Sequence, residues 1–249
     1  MRMVSMRRVC ITVPTYNERE NVSKLIPVLL SVLRDGKIEG WLLIVDDSSP
    51  DGTGDIVEAL SKKHGNVRVI HRKGKLGLGS AYKDAFREAL ADSETGLVVE
   101  MDADLSHDPT YLPQILAAAE HSGGVGLGSR YIKGGRIVGW PLRRKVVSWG
   151  ANFLTRTILR LPVKDATSGY RAFTKETLER IGYAEAGTKA YAFQVEILYR
   201  CARQNVPIEE VPITFYERQL GKSKLSRGDM FDFLKTVLRL RLASPGKVT

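Results

Sequence analysis

Two carboxylates one residue apart, Asp102 and Asp104, follow the apolar run Leu97-Val98-Val99 and bracket Ala103. A D-x-D pair at the mouth of a strand suits a nucleotide-handling enzyme, because hard cations such as Mg²⁺ take one or two carboxylates together with substrate phosphate oxygens. An Asp pair in a solvated turn has the same spacing, so the pair gains meaning only from its surroundings. Arg218-Gln219-Leu220-Gly221-Lys222-Ser223-Lys224 is a basic loop that suits phosphate, arginine offering a two-pronged fork and lysine a point charge. Beside the D-x-D, and with Arg130, Arg143 and Arg144 in the same chain, a phosphate clamp is the better reading than a solvated loop.

Other candidates fail on context. Asp47-Ser48-Ser49-Pro50-Asp51-Gly52 with Glu58 reproduces much of the calcium-loop spacing. A strand precedes it instead of a helix, Gly54 fills the position of a branched apolar residue, and no second copy exists. A strand-end loop with an Asp placed for base or ribose contacts fits better. Gly74, Gly77 and Gly79 match neither a dinucleotide fingerprint nor a P-loop and suggest a close-packed turn. His71, His107 and His121 lack zinc spacing, which leaves them surface or supporting roles.

The elements that must position these residues follow from periodicity. Val9 to Val13, Leu42 to Val45, Val67 to His71 and Leu97 to Met101 read as strands. Helical patterns separate them at Glu18 to Leu33, Thr53 to Lys63, Ser80 to Leu90 and Pro109 to Ala119. This βαβ alternation predicts an α/β fold with a mostly parallel central sheet flanked by helices. Ligands bind beyond the carboxyl ends of such strands, where Pro14 to Glu18, Asp46 to Gly52 and Asp102 to Asp108 converge. After about residue 125 the alternation weakens. A loop with Gly134, Gly135 and Gly139, a basic amphipathic segment from Leu142 to Arg160 and a helix near Phe193 to Arg203 follow. A last helix, Asp229 to Leu242, places Met230, Phe233, Leu234, Val237 and Leu238 on one face and Lys235, Arg239 and Arg241 outside it. Such a helix suits either a membrane surface or docking against the body.

The chain has 249 residues, 43% of them hydrophobic, which suits one domain with an ample core. Residues 1–125 form mainly a nucleotide half, 126–228 an acceptor half, and 229–249 an amphipathic C-terminal helix and tail. The longest apolar runs, such as Trp41 to Val45, are far short of the roughly 20 residues that span a bilayer. Pro14 ends the first apolar run too early for a signal-peptide core, so the N-terminus reads as a first strand. Cys10 and Cys201 fall in a strand and a helix and read as small core residues in a reducing compartment. Net charge is +10. From His121 to Lys164 there are nine Lys or Arg and no Asp or Glu, so the basicity is concentrated in the second half. That implies a polyanionic partner: nucleic acid, an anionic membrane surface or a phosphorylated substrate.

Taken together, the chain resembles the dolichyl-phosphate mannose synthases, within the family 2 glycosyltransferases of GT-A fold, from about Val9 to Leu240. The resemblance is carried by Val13 to Asn21, Val45 to Thr53, Leu76 to Tyr82, Met101 to His107, Gly128 to Tyr131, Ala190 to Glu196 and Arg218 to Leu225. It implies transfer of mannose from GDP-mannose to dolichyl or another polyprenyl phosphate with inversion, giving a lipid-linked mannose donor for glycosylation, with Mg²⁺ or Mn²⁺ on the diphosphate. By position it implies that Pro14, Tyr16, Glu18, Val45 and Asp47 line the nucleotide pocket. Asp102, Ala103 and Asp104 would hold diphosphate and metal. Arg130, Arg218 and Lys224 would meet donor or acceptor phosphates, and Arg144 and Ser148 the lipid phosphate. Some family members carry a metal-ligating Gln where this chain has Ser106, so no third side-chain ligand is carried over. The resemblance further implies a peripheral enzyme at the cytoplasmic face of a membrane, with a small membrane-anchoring subunit as a possible partner.

A polyprenyl-phosphate glucosyltransferase using a UDP-sugar shares the fold and the D-x-D; Phe193-Gln194-Val195-Glu196 and Arg218 to Leu225 favour mannose. A nucleic-acid-binding module would explain the charge, but no binding motif or stacking aromatic platform is present. A non-catalytic lipid-phosphate-binding subunit would not need Asp102 and Asp104.

Overall fold

The structure, a computed structural model, describes residues 7–188, 191–218 and 227–242. The first half alternates as the periodicity predicts: β1 (Arg8–Thr15), α1 (Arg19–Asp35), β2 (Gly40–Asp46), α2 (Thr53–Lys63), β3 (Val67–His71), α3 (Leu78–Ala91), β4 (Thr95–Glu100) and α4 (Leu112–Ser122). The second half contributes β5 (Val125–Ser129), β6 (Arg136–Val138), α5 (Leu142–Leu159), β7 (Arg171–Thr174), α6 (Lys175–Ile181), α7 (Tyr191–Arg203), β8 (Ile208–Pro212), β9 (Thr214–Tyr216) and α8 (Arg227–Leu242).

Seven strands form one sheet in the order β3-β2-β1-β4-β7-β5-β8, with β6 and β9 in a small second sheet. Pairing is parallel except at β7, which runs antiparallel to both β4 and β5. Successive side chains of a strand point to opposite faces, so the apolar runs supply two layers at once. Ile11, Val13, Leu42, Ile44 and Val99 meet α1 and α4 through Leu25, Ile26, Leu29, Ile115 and Leu116. Cys10, Leu43, Val45 and Val98 meet α3 and α7 through Tyr82, Phe86, Phe193 and Ile197. Cys10 and Cys201 are buried free thiols, as expected of core residues.

Strand β5 is buried throughout, yet its sequence is Val-Gly-Leu-Gly-Ser. A Cβ on Gly126 would lie 2.0 Å from the Ile115 carbonyl oxygen and 2.9 Å from the Ala119 nitrogen. The absent side chain is what lets α4 lie against the sheet. Gly126→Ala is therefore expected to destabilise the protein by about 3 kcal/mol, with Tm falling roughly 6–12 °C in a thermal melt.

The C-terminal helix docks on the body. Val237 is buried, with Phe233 and Leu240 packed beside it, whereas Leu238 and Leu242 face outward. The apolar face expected of this helix is thus divided between packing and exposure, because contact with the body consumes part of it. Among the described residues no helix is long and apolar enough to cross a membrane.

Candidate active site

Strand β4 ends at Glu100, and the next residues turn sharply beyond the carboxyl edge of the sheet, where open α/β sheets take ligands. Leu105 adopts φ 61° to close this turn, and the Ser106 amide donates to Asp104 Oδ1 at 3.1 Å. Arg218 Nη2 lies 3.2 Å from Asp104 Oδ2. The turn is anchored from below by His107, which is buried between Tyr170, stacked at 5.1 Å, and Phe215, edge-on at 5.4 Å. His107 Nδ1 accepts the Asp102 N–H at 3.2 Å, which leaves the ring hydrogen on Nε2, 4.0 Å from Asp102 Oδ2. Burial holds this imidazole below its usual range and therefore neutral. Of the surface or supporting roles left to the histidines, His107 takes the supporting one, five residues after Asp102 and inside the same turn.

Partial desolvation of this half-buried side chain, and then the charge of Asp104, push the Asp102 carboxyl upward. A divalent cation relieves that repulsion, so the pair suits a hard metal. Among the described residues no group of three or more His, Cys, Asp or Glu converges as a metal site. Asp102 and Asp104 would thus leave the other coordination positions to phosphate oxygens and water. Beneath the turn, Glu100 is fully buried, 3.6 Å from Arg171 Nη1, which also donates to the Gln194 carbonyl at 2.6 Å. Burial pushes Glu100 up to about 7 against the opposing charge of Arg171. Neither residue was singled out in the sequence.

On the nucleotide side, Pro14, Tyr16 and Glu18 sit at and beyond the end of β1, half-buried, with Glu18 Oε2 accepting from Asn21 at 2.6 Å and Lys75 Nζ 4.1 Å from the Tyr16 ring centre. The Val45 side chain belongs to the core, so only its backbone can face a ligand. Asp47 is more committed than its loop suggested. Its oxygens accept from the buried Arg72 guanidinium and from the Gly77 amide, and Arg72 also donates to Asp84 at 3.0 Å and to Ser80. Asp46 and Asp51 likewise hold the loop, through Thr15, Ser49 and Thr53. These carboxylates order the backbone of the loop. In the glycine loop, Gly77 takes φ 96°, and Gly79 sits 3.0 Å from Phe193 where a Cβ would be.

Arg130, at the end of β5, is held on the site's second flank by a fully buried partner. Its backbone N and Nε donate to Asp165 Oδ2 at 3.0 and 2.7 Å, and Nη2 donates to Oδ1 at 2.7 Å and to Thr167 at 2.8 Å. Asp165 is the first acid after the acid-free stretch that ends at Lys164, and that abrupt change was a legible signal of pairing. Arg144 lies 3.9 Å from the Trp140 ring centre and donates to Glu217 at 2.7 Å, while Tyr131 donates to the Ser148 hydroxyl at 2.9 Å. A cavity of about 330 Å³ opens here, its cationic wall made by Arg130, Arg136 and Lys145 and its apolar wall by Ile137, Val146 and Trp149. The structure thus places Arg130 against this cavity and Arg218 against Asp104. Lys224 lies outside the described residues.

A metal-suited carboxylate turn, strand-end loops beside it and a cationic flank are the parts of a sugar-nucleotide transferase. Residues 10–182 match Glycosyl transferase family 2, and the chain belongs to that family and is a glycosyltransferase. It is 44% identical over 237 residues to the undecaprenyl-phosphate mannosyltransferase of Micrococcus luteus, covering 95% of each chain. It is 39% identical over 241 residues to the polyprenol monophosphomannose synthase of Mycolicibacterium smegmatis, covering 95% of this chain and 89% of that one. The expected GT-A fold is seen in its similarity to glucosyl-3-phosphoglycerate synthase from Mycobacterium tuberculosis solved with Mn²⁺, UDP and product. That match has a TM-score of 0.67 at 20% identity and covers 94% of this chain and 80% of that one.

Proposed function

We propose that this protein transfers mannose from GDP-mannose to a polyprenyl phosphate with inversion at the anomeric carbon. The observation that carries the reading is the cavity against Arg130, which joins three cations to an apolar wall and so suits a phosphate on a hydrocarbon chain. The names of the Micrococcus and Mycolicibacterium relatives support the same acceptor and sugar. Residues 1–125 then serve mainly the donor and 126–228 mainly the acceptor.

A phosphate monoester has a second pKa of about 6, so the acceptor is largely dianionic at neutral pH and needs no general base. Its oxygen is the nucleophile, and the protein's task is alignment and charge. Asp102 and Asp104 would hold a divalent cation, Mg²⁺ or Mn²⁺, which would supply positive charge to the diphosphate leaving group. Arg218 and Lys224 add positive charge on that side; Arg130, Arg144 and Ser148 receive the acceptor phosphate. Tyr16, Glu18 and the strand-end backbone at Val45 and Asp47 border the nucleotide.

The purified protein with polyprenyl phosphate in detergent and Mg²⁺ is expected to form mannolipid from GDP-mannose and no glucolipid from UDP-glucose, with EDTA abolishing product. Glucolipid alone would overturn the donor, and the absence of both products would overturn the activity.

Contact with an anionic membrane surface has its own support. Leu142, Val146, Trp149 and Phe153 recur at helical spacing on the outside of α5, with Trp149 57% exposed and stacked on Phe153 at 5.5 Å. Arg143, Lys145 and Arg156 flank them, and α5 carries no acid. An exposed apolar stripe edged with cations fits a headgroup layer. The double variant L142E/F153E, at two exposed residues of the stripe that do not line the cavity, is expected to lose co-flotation with anionic phospholipid vesicles while still transferring sugar to a detergent-solubilised acceptor.

A further inference from the structure

The chain from Phe215 to Arg218 touches both flanks of the site residue by residue. The Tyr216 amide donates to the Ser106 carbonyl at 3.1 Å, and Phe215 is bridged to His107 across the same short ladder. The Phe215 ring meets three groups at once: the His107 imidazole at 5.4 Å, the Trp140 indole at 5.5 Å, and the Arg130 guanidinium 5.3 Å from its centre. His107 holds the Asp102 amide, and Trp140 carries Arg144 on its face. One half-buried ring therefore stands between the carboxylate turn on one side and, on the other, Arg130 directly and Arg144 through Trp140.

We infer that Phe215 is a positioning residue for sugar transfer, fixing the separation between the donor-side carboxylates and the acceptor-side arginines. The inference rests on the proposed function, because it matters only if a nucleophile on one flank attacks a carbon held on the other. Such attack needs the reacting atoms about 3–3.5 Å apart, and a displacement of about 1 Å costs on the order of a hundredfold in rate. A leucine fills much of the volume but removes the flat face against Arg130 and the edge contacts of His107 and Trp140. The effect falls on alignment, since the ring meets His107, Trp140 and Arg130, through which the two flanks are set.

The test compares Phe215→Leu with Phe215→Tyr, measuring kcat, acceptor KM, affinity for Mn²⁺·GDP by titration, and Tm. Phe215→Leu is expected to lower kcat roughly thirty- to a hundredfold while Mn²⁺·GDP affinity stays within about threefold of wild type. Phe215→Tyr, which keeps the ring, should recover most of the rate. An unchanged kcat in Phe215→Leu, or a loss shared equally by nucleotide affinity and Tm, overturns the positioning role. So does a tyrosine variant as impaired as the leucine one. A wild-type protein that transfers no sugar to polyprenyl phosphate overturns the proposed function itself, and with it this role.

Discussion

Asp104→Asn should lower kcat/KM about a thousandfold, equivalent to about 4 kcal/mol of lost transition-state stabilisation, with little change in Tm. The asymmetry follows from what each oxygen of Asp104 does. Oδ1 accepts the Ser106 amide and shapes the turn, a contact that an asparagine oxygen can keep. Oδ2 faces Arg218 at 3.2 Å and supplies the negative charge that a cation needs. Asparagine removes that charge, so a metal would rest on Asp102 alone. Arg218 also loses the partner that holds it beside the donor side. Mn²⁺ binding measured by electron paramagnetic resonance, without turnover, should weaken in parallel with activity. A variant with near-normal turnover would refute the metal role.

The second large effect concerns stability. Asp165→Asn is expected to cost about 3–5 kcal/mol and lower Tm by roughly 6–20 °C, because it leaves the Arg130 guanidinium buried without a counter-charge. Burial alone would push the Asp165 carboxyl up, but the charge of Arg130 and its hydrogen bonds outweigh that and hold it below the usual carboxylate range. A depressed pKa contributes stability above the unfolded value, about 4, and that contribution fades as pH falls through the lower folded value. The Tm gap between wild type and variant should thus be full at pH 7 and narrow only in acid below about pH 4. A gap that is already closed at pH 6 would refute the assignment. Transfer should fall too, since Arg130 would no longer be held against the acceptor cavity.

Periodicity located the first four strands and four helices because each is a continuous apolar or amphipathic run. It missed β5 because two of that strand's five residues are glycines, retained for the approach of α4 and silent as a β pattern. It missed β7 because four residues, Arg171-Ala172-Phe173-Thr174, are too short a run to show a period, and the irregular stretch after Leu159 precedes them. The candidate site divides in the same way. Asp102 and Asp104 are adjacent and readable together. The partners that give Asp47, Arg130 and Arg144 their places are Arg72, Asp165 and Glu217, each at least 25 residues away. Charge patterning shows that such bases need acids; only the fold pairs them. The family motifs supplied what spacing could not, notably Arg130, Arg144 and Arg218 as a set.

The single reversed strand has a consequence for how the chain comes together. β7 is the only strand beside β4 on the side away from β1, and it arrives some seventy residues after β4 has been made. Until then Val98 and Val99 lie on an open, apolar sheet margin with unpaired amides and carbonyls, the condition that favours pairing between copies. The N-terminal βα repeats are therefore not a self-sufficient module. During synthesis or refolding, the vulnerable interval runs from the completion of β4 to the docking of Arg171–Thr174, and chaperone capture or aggregation would concentrate there.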